Sequence, residues 1–262
     1  MIISHKYRFI FIHCRKVAGS SIKTSLWPYL GDNDIVIGSL DEVLRHGYGL
    51  NSAAKRALLH PRGWNILRKA SIEHLRNGKS QKYQNLVNTK VKARYKKMLF
   101  RNPVHPPAER VKQAFPYEWD NYFKFCFVRN SYDQALSEYS HQMKNSGRDV
   151  SFRYFLEALS GKVEDRGIVP SGLITNWSLY AIDDRPVADF IGHYENLNND
   201  FAGICKKLDI PFDGPLREEK VGRNGRKKDL SHWYDAESVS IVKSIYEKEV
   251  EYFNVVDPLA SK

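Results

Sequence analysis

Tyr7-Arg-Phe-Ile-Phe-Ile-His13, followed at once by Cys14-Arg-Lys-Val-Ala-Gly-Ser-Ser-Ile22, is the stretch whose reading decides the fold. Bulky and β-branched residues crowd its first half, as they do in a buried strand. The continuation, Ile22-Lys-Thr-Ser-Leu-Trp27, sets Ile22 and Leu26 on one face of a helix. Strand, short loop with a glycine, then helix is a geometry that aims backbone N–H groups at a phosphate. Arg15 and Lys16 bring positive charge to that loop, and Ser20 and Ser21 bring hydroxyl donors. The loop reads as a holder of a polyanion. It is not a Walker A loop, in which the lysine follows the second glycine. Here Lys16 precedes the loop's one glycine, Gly19.

A second junction of the same kind lies downstream. Tyr122-Phe-Lys-Phe-Cys-Phe-Val128 reads as a buried strand, and Arg129 follows it directly. Ser131-Tyr-Asp-Gln134 reads as a capping box that opens a helix to about Lys144. Arginine binds phosphate through paired N–H groups. Ser137 stands eight residues later, about two turns along that helix. Residues 35–38 and 187–192 read as further short strands, and Ser39-Leu-Asp-Glu42 as another capping box. Residues 199–208 and 235–253 carry apolar residues at helical spacing. Strands alternating with helices predict an α/β fold in three layers, with a P-loop-like central parallel sheet flanked by helices.

With 262 residues the chain suits one domain over 1–262 with a well-buried core. No apolar run approaches the ~20 residues of a membrane helix. The first residues lead straight into a strand rather than a signal peptide, which gives a cytoplasmic expectation. Cys14, Cys126 and Cys205 are widely spaced and suggest core thiols rather than a metal cluster. Asn176-Trp177-Ser178 is a glycosylation sequon, of little weight without a secretion signal.

The net charge of +11 is concentrated. Residues 45–101 hold fifteen Lys and Arg against one acid, Glu73, so that segment carries +14 and the remainder −3. It has helical patches at 53–59, 66–75 and 91–98, and too little apolar content for a core of its own. It reads as a basic, mostly helical insertion or lid. A field of this size attracts nucleic acid, an acidic glycan or an anionic membrane surface. No recognisable nucleic-acid motif is present, and Tyr48, Trp64, Tyr83, Tyr95 and Phe100 are the segment's only stacking residues.

Four stretches together resemble the carbohydrate sulfotransferases of the bacterial and Golgi type, related to the chondroitin and uronyl enzymes. They are Arg15-Lys-Val-Ala-Gly-Ser-Ser21; His105-Pro-Pro-Ala-Glu-Arg-Val-Lys112 with Trp119 to Asn130; Arg129-Asn-Ser-Tyr-Asp-Gln-Ala-Leu-Ser137; and Phe190 to Leu197 with Lys227 to Asp235. They span most of the chain except residues 31–100. The pattern departs from the family at Ser131 and Arg15, where proline is usual or frequent, and at His193, where arginine is common.

The resemblance implies a donor, 3′-phosphoadenosine-5′-phosphosulfate (PAPS), a product, PAP, and no metal. It assigns Arg15, Lys16, Val17, Ala18, Gly19, Ser20 and Ser21 to the 5′-phosphosulfate. It assigns Arg129 and Ser137 to the 3′-phosphate, with Arg226, Lys227 and Lys228 closing over it. Lys16 would stabilise the leaving oxygen, and His105 would be the general base, with His46, His60 and His74 as rivals. The acceptor implied is a carbohydrate hydroxyl. The charge of residues 45–101 suggests that this acceptor is anionic, and no nucleic acid is implied. An ATP-dependent kinase of P-loop type and a basic nucleic-acid-binding module are the alternative readings.

Overall fold

The computed structural model describes residues 1–99, 102–217 and 229–260. Arg226, Lys227 and Lys228 lie outside the described residues, as does Arg101 of the basic segment. In chain order the elements are β1 (Ile2–Ser4), β2 (Phe9–Phe11), α1 (Gly19–Leu26), β3 (Ile35–Val36), α2 (Leu40–Arg45), α3 (Ser52–Leu59), α4 (Trp64–Asn77) and α5 (Gln81–Tyr95). Then come α6 (Ala108–Ala114), α7 (Pro116–Asn121), β4 (Phe123–Val128), α8 (Ser131–Ser146), α9 (Phe152–Ser160) and α10 (Trp177–Tyr180). The last are β5 (Ala181–Ile182), β6 (Arg185–Pro186), β7 (Phe190–His193), α11 (Leu197–Lys207), α12 (Ala236–Ile245) and α13 (Glu247–Tyr252). These elements form two compact units. The described residues of the first fall in 1–14, 18–127 and 178–217; those of the second fall in 15–17, 128–177 and 229–260.

The first unit is built on a five-stranded sheet of order β3-β1-β2-β4-β7. Strand β1 runs antiparallel to both β2 and β3, while β2 and β4 are parallel, with Ile10 opposite Lys124. The sheet is therefore mixed, not the parallel sheet that the sequence predicts. The difference arises in residues 2–11, where β1 and β2 form a hairpin. Its turn has no glycine, proline or asparagine. Asp34 holds it from a distance: Ser4 Oγ donates to Oδ2 at 2.6 Å, and the His5 and Lys6 amides donate to Oδ1 at 2.7 and 3.1 Å. Arg8 closes the turn with φ of 54°.

Ile2, Ile3, Phe9, Ile10, Phe11, Phe125 and Phe127 are fully buried and form the heart of this unit. The Phe11 and Phe125 rings stack at 5.2 Å across the parallel pair. Each such side chain stabilises the fold by about 1.5–3 kcal/mol on burial, so the loop that follows β2 leaves from a rigid strand.

The second unit is helical. Tyr132, Leu136, Phe155, Leu156, Val242 and Tyr246 are packed together, and the Tyr234 hydroxyl donates to the Tyr132 carbonyl at 2.7 Å. The final helix is two helices rather than one, broken at Tyr246, whose φ and ψ of −110° and 29° leave the helical region. Two expected capping boxes do not form. Asn130, not Ser131, caps α8, its side chain accepting from the Tyr132 and Asp133 amides. Ser39 is left-handed and makes no cap bond; its hydroxyl pairs with that of Ser20 at 3.1 Å.

All three cysteines are buried. No helix among the described residues is long and apolar enough to cross a membrane.

Candidate active site

In the first unit, His13 is the last residue of the β2 run, and its ring lies against Gly19, the first residue of α1. A Cβ on Gly19 would sit 1.8 Å from His13 Nε2 and 1.9 Å from Cδ2, so only glycine fits there. The buried Lys23 ammonium, one turn further along α1, lies 3.1 Å from His13 Nδ1 and donates to the Ile37 carbonyl at 3.2 Å. With Lys23 protonated, its ammonium only donates, so His13 Nδ1 accepts and the proton of the neutral ring sits on Nε2.

His105 completes the cluster. Its Nδ1 lies 2.7 Å from the His13 carbonyl oxygen, and the two rings are 4.4 Å apart. A carbonyl oxygen only accepts, so His105 Nδ1 carries a proton, and in the neutral ring the lone pair is on Nε2. Val104 packs on Gly38, where a Cβ would meet the valine methyl at 2.9 Å. That contact, with the left-handed φ of 81° at Gly38, fixes the approach of the 103–105 segment. His105 is half-buried, whereas His13 is almost fully enclosed. The other candidate histidines are differently engaged. His60 Nδ1 accepts from the Arg62 amide, and the His74 ring lies 4.8 Å from that of Tyr83 at a 34° tilt.

Helix α1 is preceded by its cap residue Ala18 at φ 58° and ψ 26°, and its first bond runs from the Ile22 amide to the Ala18 carbonyl. The amides of Gly19, Ser20 and Ser21 stand ahead of the helix's own ladder, at the positive end of its dipole. Ser21 is buried and Ser20 half-buried. Gly19→Ala forces a methyl into the His13 ring, which Lys23 and the His105 contact hold in place. We expect it to destabilise the protein by about 1–3 kcal/mol and to abolish turnover, checked by thermal melts and a donor-consumption assay.

The second unit holds residues 15–17 and the start of α8. Lys16 is left-handed, with φ of 62°, and its carbonyl accepts from Arg129 Nη1 at 3.1 Å. Arg129 Nε donates to Asp133 at 2.6 Å, one turn into α8. Two left-handed non-glycine residues, Lys16 and Ala18, bracket the buried Val17. Such a backbone costs of order 1–3 kcal/mol per residue and persists where its surroundings enforce it.

Asn176 is one enforcer. Its Oδ1 accepts from the Arg15 amide at 2.7 Å, and its Nδ2 donates to the Arg15 carbonyl at 3.1 Å and to Gln134 Oε1 at 3.0 Å. Glu249 supports this segment from beneath, Oε1 accepting from the Asn176 and Trp177 amides at 3.1 and 3.0 Å. Burial pushes the Glu249 carboxyl above its ordinary range. The Arg15 side chain turns inward, its Nη2 pairing at 2.7 Å with Glu138, which is 1% exposed. The structure thus ties the Arg15 guanidinium into the packing of its unit. Ser137 lies half-buried on α8, two turns beyond Arg129.

His13, Lys23, Glu138 and Asn176 are the residues that sequence reading missed. His13 was legible only as the end of an apolar run, and Asn176 only as part of a sequon. Among the described residues, no group of three or more His, Cys, Asp or Glu is placed to hold a metal ion.

The model of the sulfotransferase family matches residues 1–255. The chain belongs to the sulfotransferase family. Its activity is therefore sulfuryl transfer, and the motifs of the loop, of Arg129 and of His105 lie within the matched residues. A protein of Archaeoglobus fulgidus described as uncharacterized is 29% identical over 115 residues, 43% of this chain and 88% of that protein. No solved structure matches. PAPS-related sulfotransferase chemistry is consistent with the donor groups at residues 15–21. In the first unit the start of α1 offers main-chain amides and the hydroxyls of Ser20 and Ser21, groups of the kind that bind phosphate.

Proposed function

We propose that this sulfotransferase moves the sulfuryl group of PAPS to a hydroxyl of a carbohydrate by in-line displacement, with one catalytic domain spanning the chain. The observation that carries the reading is the tautomer of His105. With Nδ1–H donated to the His13 carbonyl, Nε2 offers the lone pair that a general base needs. His105 Nε2 takes the proton of the acceptor hydroxyl as its oxygen bonds to sulfur and the sulfur–phosphate oxygen bond breaks. Lys16 meets the negative charge that builds on the departing phosphate oxygen. The amides of Gly19, Ser20 and Ser21 hold the 5′-phosphosulfate, and Arg129 and Ser137 hold the 3′-phosphate. Arg15, Val17 and Ala18 contribute through the loop's backbone, Arg15 through its pairing with Glu138 as well. Charge stabilisation and positioning supply most of the acceleration in such a transfer.

A thermal-shift panel of PAP, ATP with Mg²⁺, and GTP tests this reading. PAP at about 100 times its Kd adds ~2.7 kcal/mol and should raise the melting temperature clearly, ATP with Mg²⁺ much less. Equal or greater stabilisation by ATP would favour the kinase reading instead. Two uses remain for the charge of residues 45–101, an acidic acceptor or an anionic membrane, and the exposed side chains of that segment favour the second.

A further inference from the structure

Helices α3, α4 and α5 carry most of the segment whose charge is +14, and their outward surface is not merely basic. At about 100° per residue, Trp64, Arg68, Ile72, Leu75 and Arg76 share one side of α4, while Ala70 and Glu73 are buried on the other. Every residue of that outer side is exposed, with Trp64 at 59% and Leu75 at 86%. Leu59, at the end of α3, is 72% exposed, and Met98 beyond α5 is exposed too. Five of the eleven large apolar side chains left exposed among the described residues thus fall in this one segment. The α4 side that groups Trp64, Ile72 and Leu75 is more apolar than solubility, or the holding of a polyanion, requires.

At the open end of the α4–α5 pair, Arg62, Arg94, Lys97, His60 and Met98 line a cavity of about 460 Å³. Its floor is built. The buried Lys90 donates to the carbonyls of His60 at 2.5 Å and Arg62 at 3.0 Å, and a Cβ on Gly63 would meet Ala93 Cβ at 3.1 Å. The segment's one acid is spent at the opposite end. Glu73 accepts from Asn77 and Ser80 and pairs with Lys82 at 3.2 Å. The cations around the cavity therefore have no carboxylate from their own segment.

We propose that this face docks on an anionic lipid bilayer, with Trp64, Leu75 and Leu59 entering the headgroup–acyl boundary and the Arg62–Arg94–Lys97 cavity holding a lipid phosphate. Charge complementarity selects the partner: a helix with Trp and Leu among Arg and Lys suits an interface that is negative outside and apolar beneath. The docking would bring the enzyme to membrane-borne acceptors without any membrane-spanning segment in the described residues.

Co-sedimentation of the whole chain with vesicles tests the proposal, using phosphatidylcholine alone and phosphatidylcholine with phosphatidylserine. The protein should pellet with the anionic vesicles only, and release as salt shortens the reach of the charges. Trp64→Ser with Leu75→Ser should weaken partition about tenfold. Arg62→Gln with Arg94→Gln and Lys97→Gln should weaken it roughly a hundredfold. All five side chains lie outside the proposed donor site, so PAP binding and melting temperature should not change. Absence of vesicle binding by the folded protein would overturn the proposal. So would binding that the Trp64/Leu75 pair leaves intact, which would make the segment a general polyanion site such as an acidic glycan groove. Self-association abolished by the same pair, without vesicle binding, would give the face to a second copy of the chain and equally overturn it.

Discussion

Lys16→Ala is expected to lower kcat by roughly 10²–10³-fold, about 2.7–4 kcal/mol of lost transition-state stabilisation. The side chain starts from a pinned backbone. Its residue is left-handed, its carbonyl is held by Arg129, and the preceding residue is clamped at both N–H and C=O by Asn176. Truncation at Cβ leaves all of these bonds in place, so the loop should keep its shape and PAP should bind with modestly reduced affinity. The loss belongs in kcat because the charge on the bridging oxygen appears only as the sulfur bond breaks. Steady-state rates with PAP titrations on the same variant check this. A loss confined to donor KM would make Lys16 an ordinary binding group.

His105→Ala is expected to cost roughly 10²–10⁴-fold in rate with PAP affinity nearly unchanged. Because the base must be unprotonated to act, the wild-type rate should rise with pH through an ascending limb, and the variant should lose that limb. His105→Asn is the informative companion. Its amide N–H can still donate to the His13 carbonyl, yet it has no basic nitrogen. If Asn restored the melting temperature but not the rate, the role is chemical. If both variants kept wild-type turnover, the base would be another group, and the tautomer set by His13 would serve only packing.

The strand–loop–helix at residues 7–27 was legible because its information is local: an apolar run, a glycine, then an amphipathic turn. Strand β4 with Arg129 and α8 was legible for the same reason, although Asn130 rather than Ser131 makes the cap. The β1–β2 hairpin was not, since Asp34, about thirty residues away, supplies the hydrogen bonds that a local turn residue would otherwise provide. The first two-thirds of α5 was missed because Gln, Asn and Lys fill its first turns and its burial is shared among α2, α3 and α4. The β5–β6 hairpin hides in Asp183 and Asp184, both left-handed, a turn usually written with Asn or Gly.

At the site, the sequence pointed to His105 through resemblance alone. What makes its geometry specific is a carbonyl on His13, and a main-chain oxygen leaves no mark in a sequence. Gly19 is similar. Its need for a bare backbone comes from a ring six residues earlier that folds back onto the helix start. Arg15 shows the converse, a residue whose charge suggested ligand contact but whose guanidinium is paired with the buried Glu138.

The most direct test of sulfuryl transfer with His105 as base follows a sulfur label from PAPS. Wild-type protein, PAPS labelled in its sulfuryl group and a panel of saccharides are incubated together, with the His105→Ala variant alongside. Label is expected in a saccharide ester, with one PAP released per ester formed and at least a hundredfold less product from His105→Ala despite equal PAP binding. Label that stays on the donor, or reaches a saccharide as readily without His105, would contradict it.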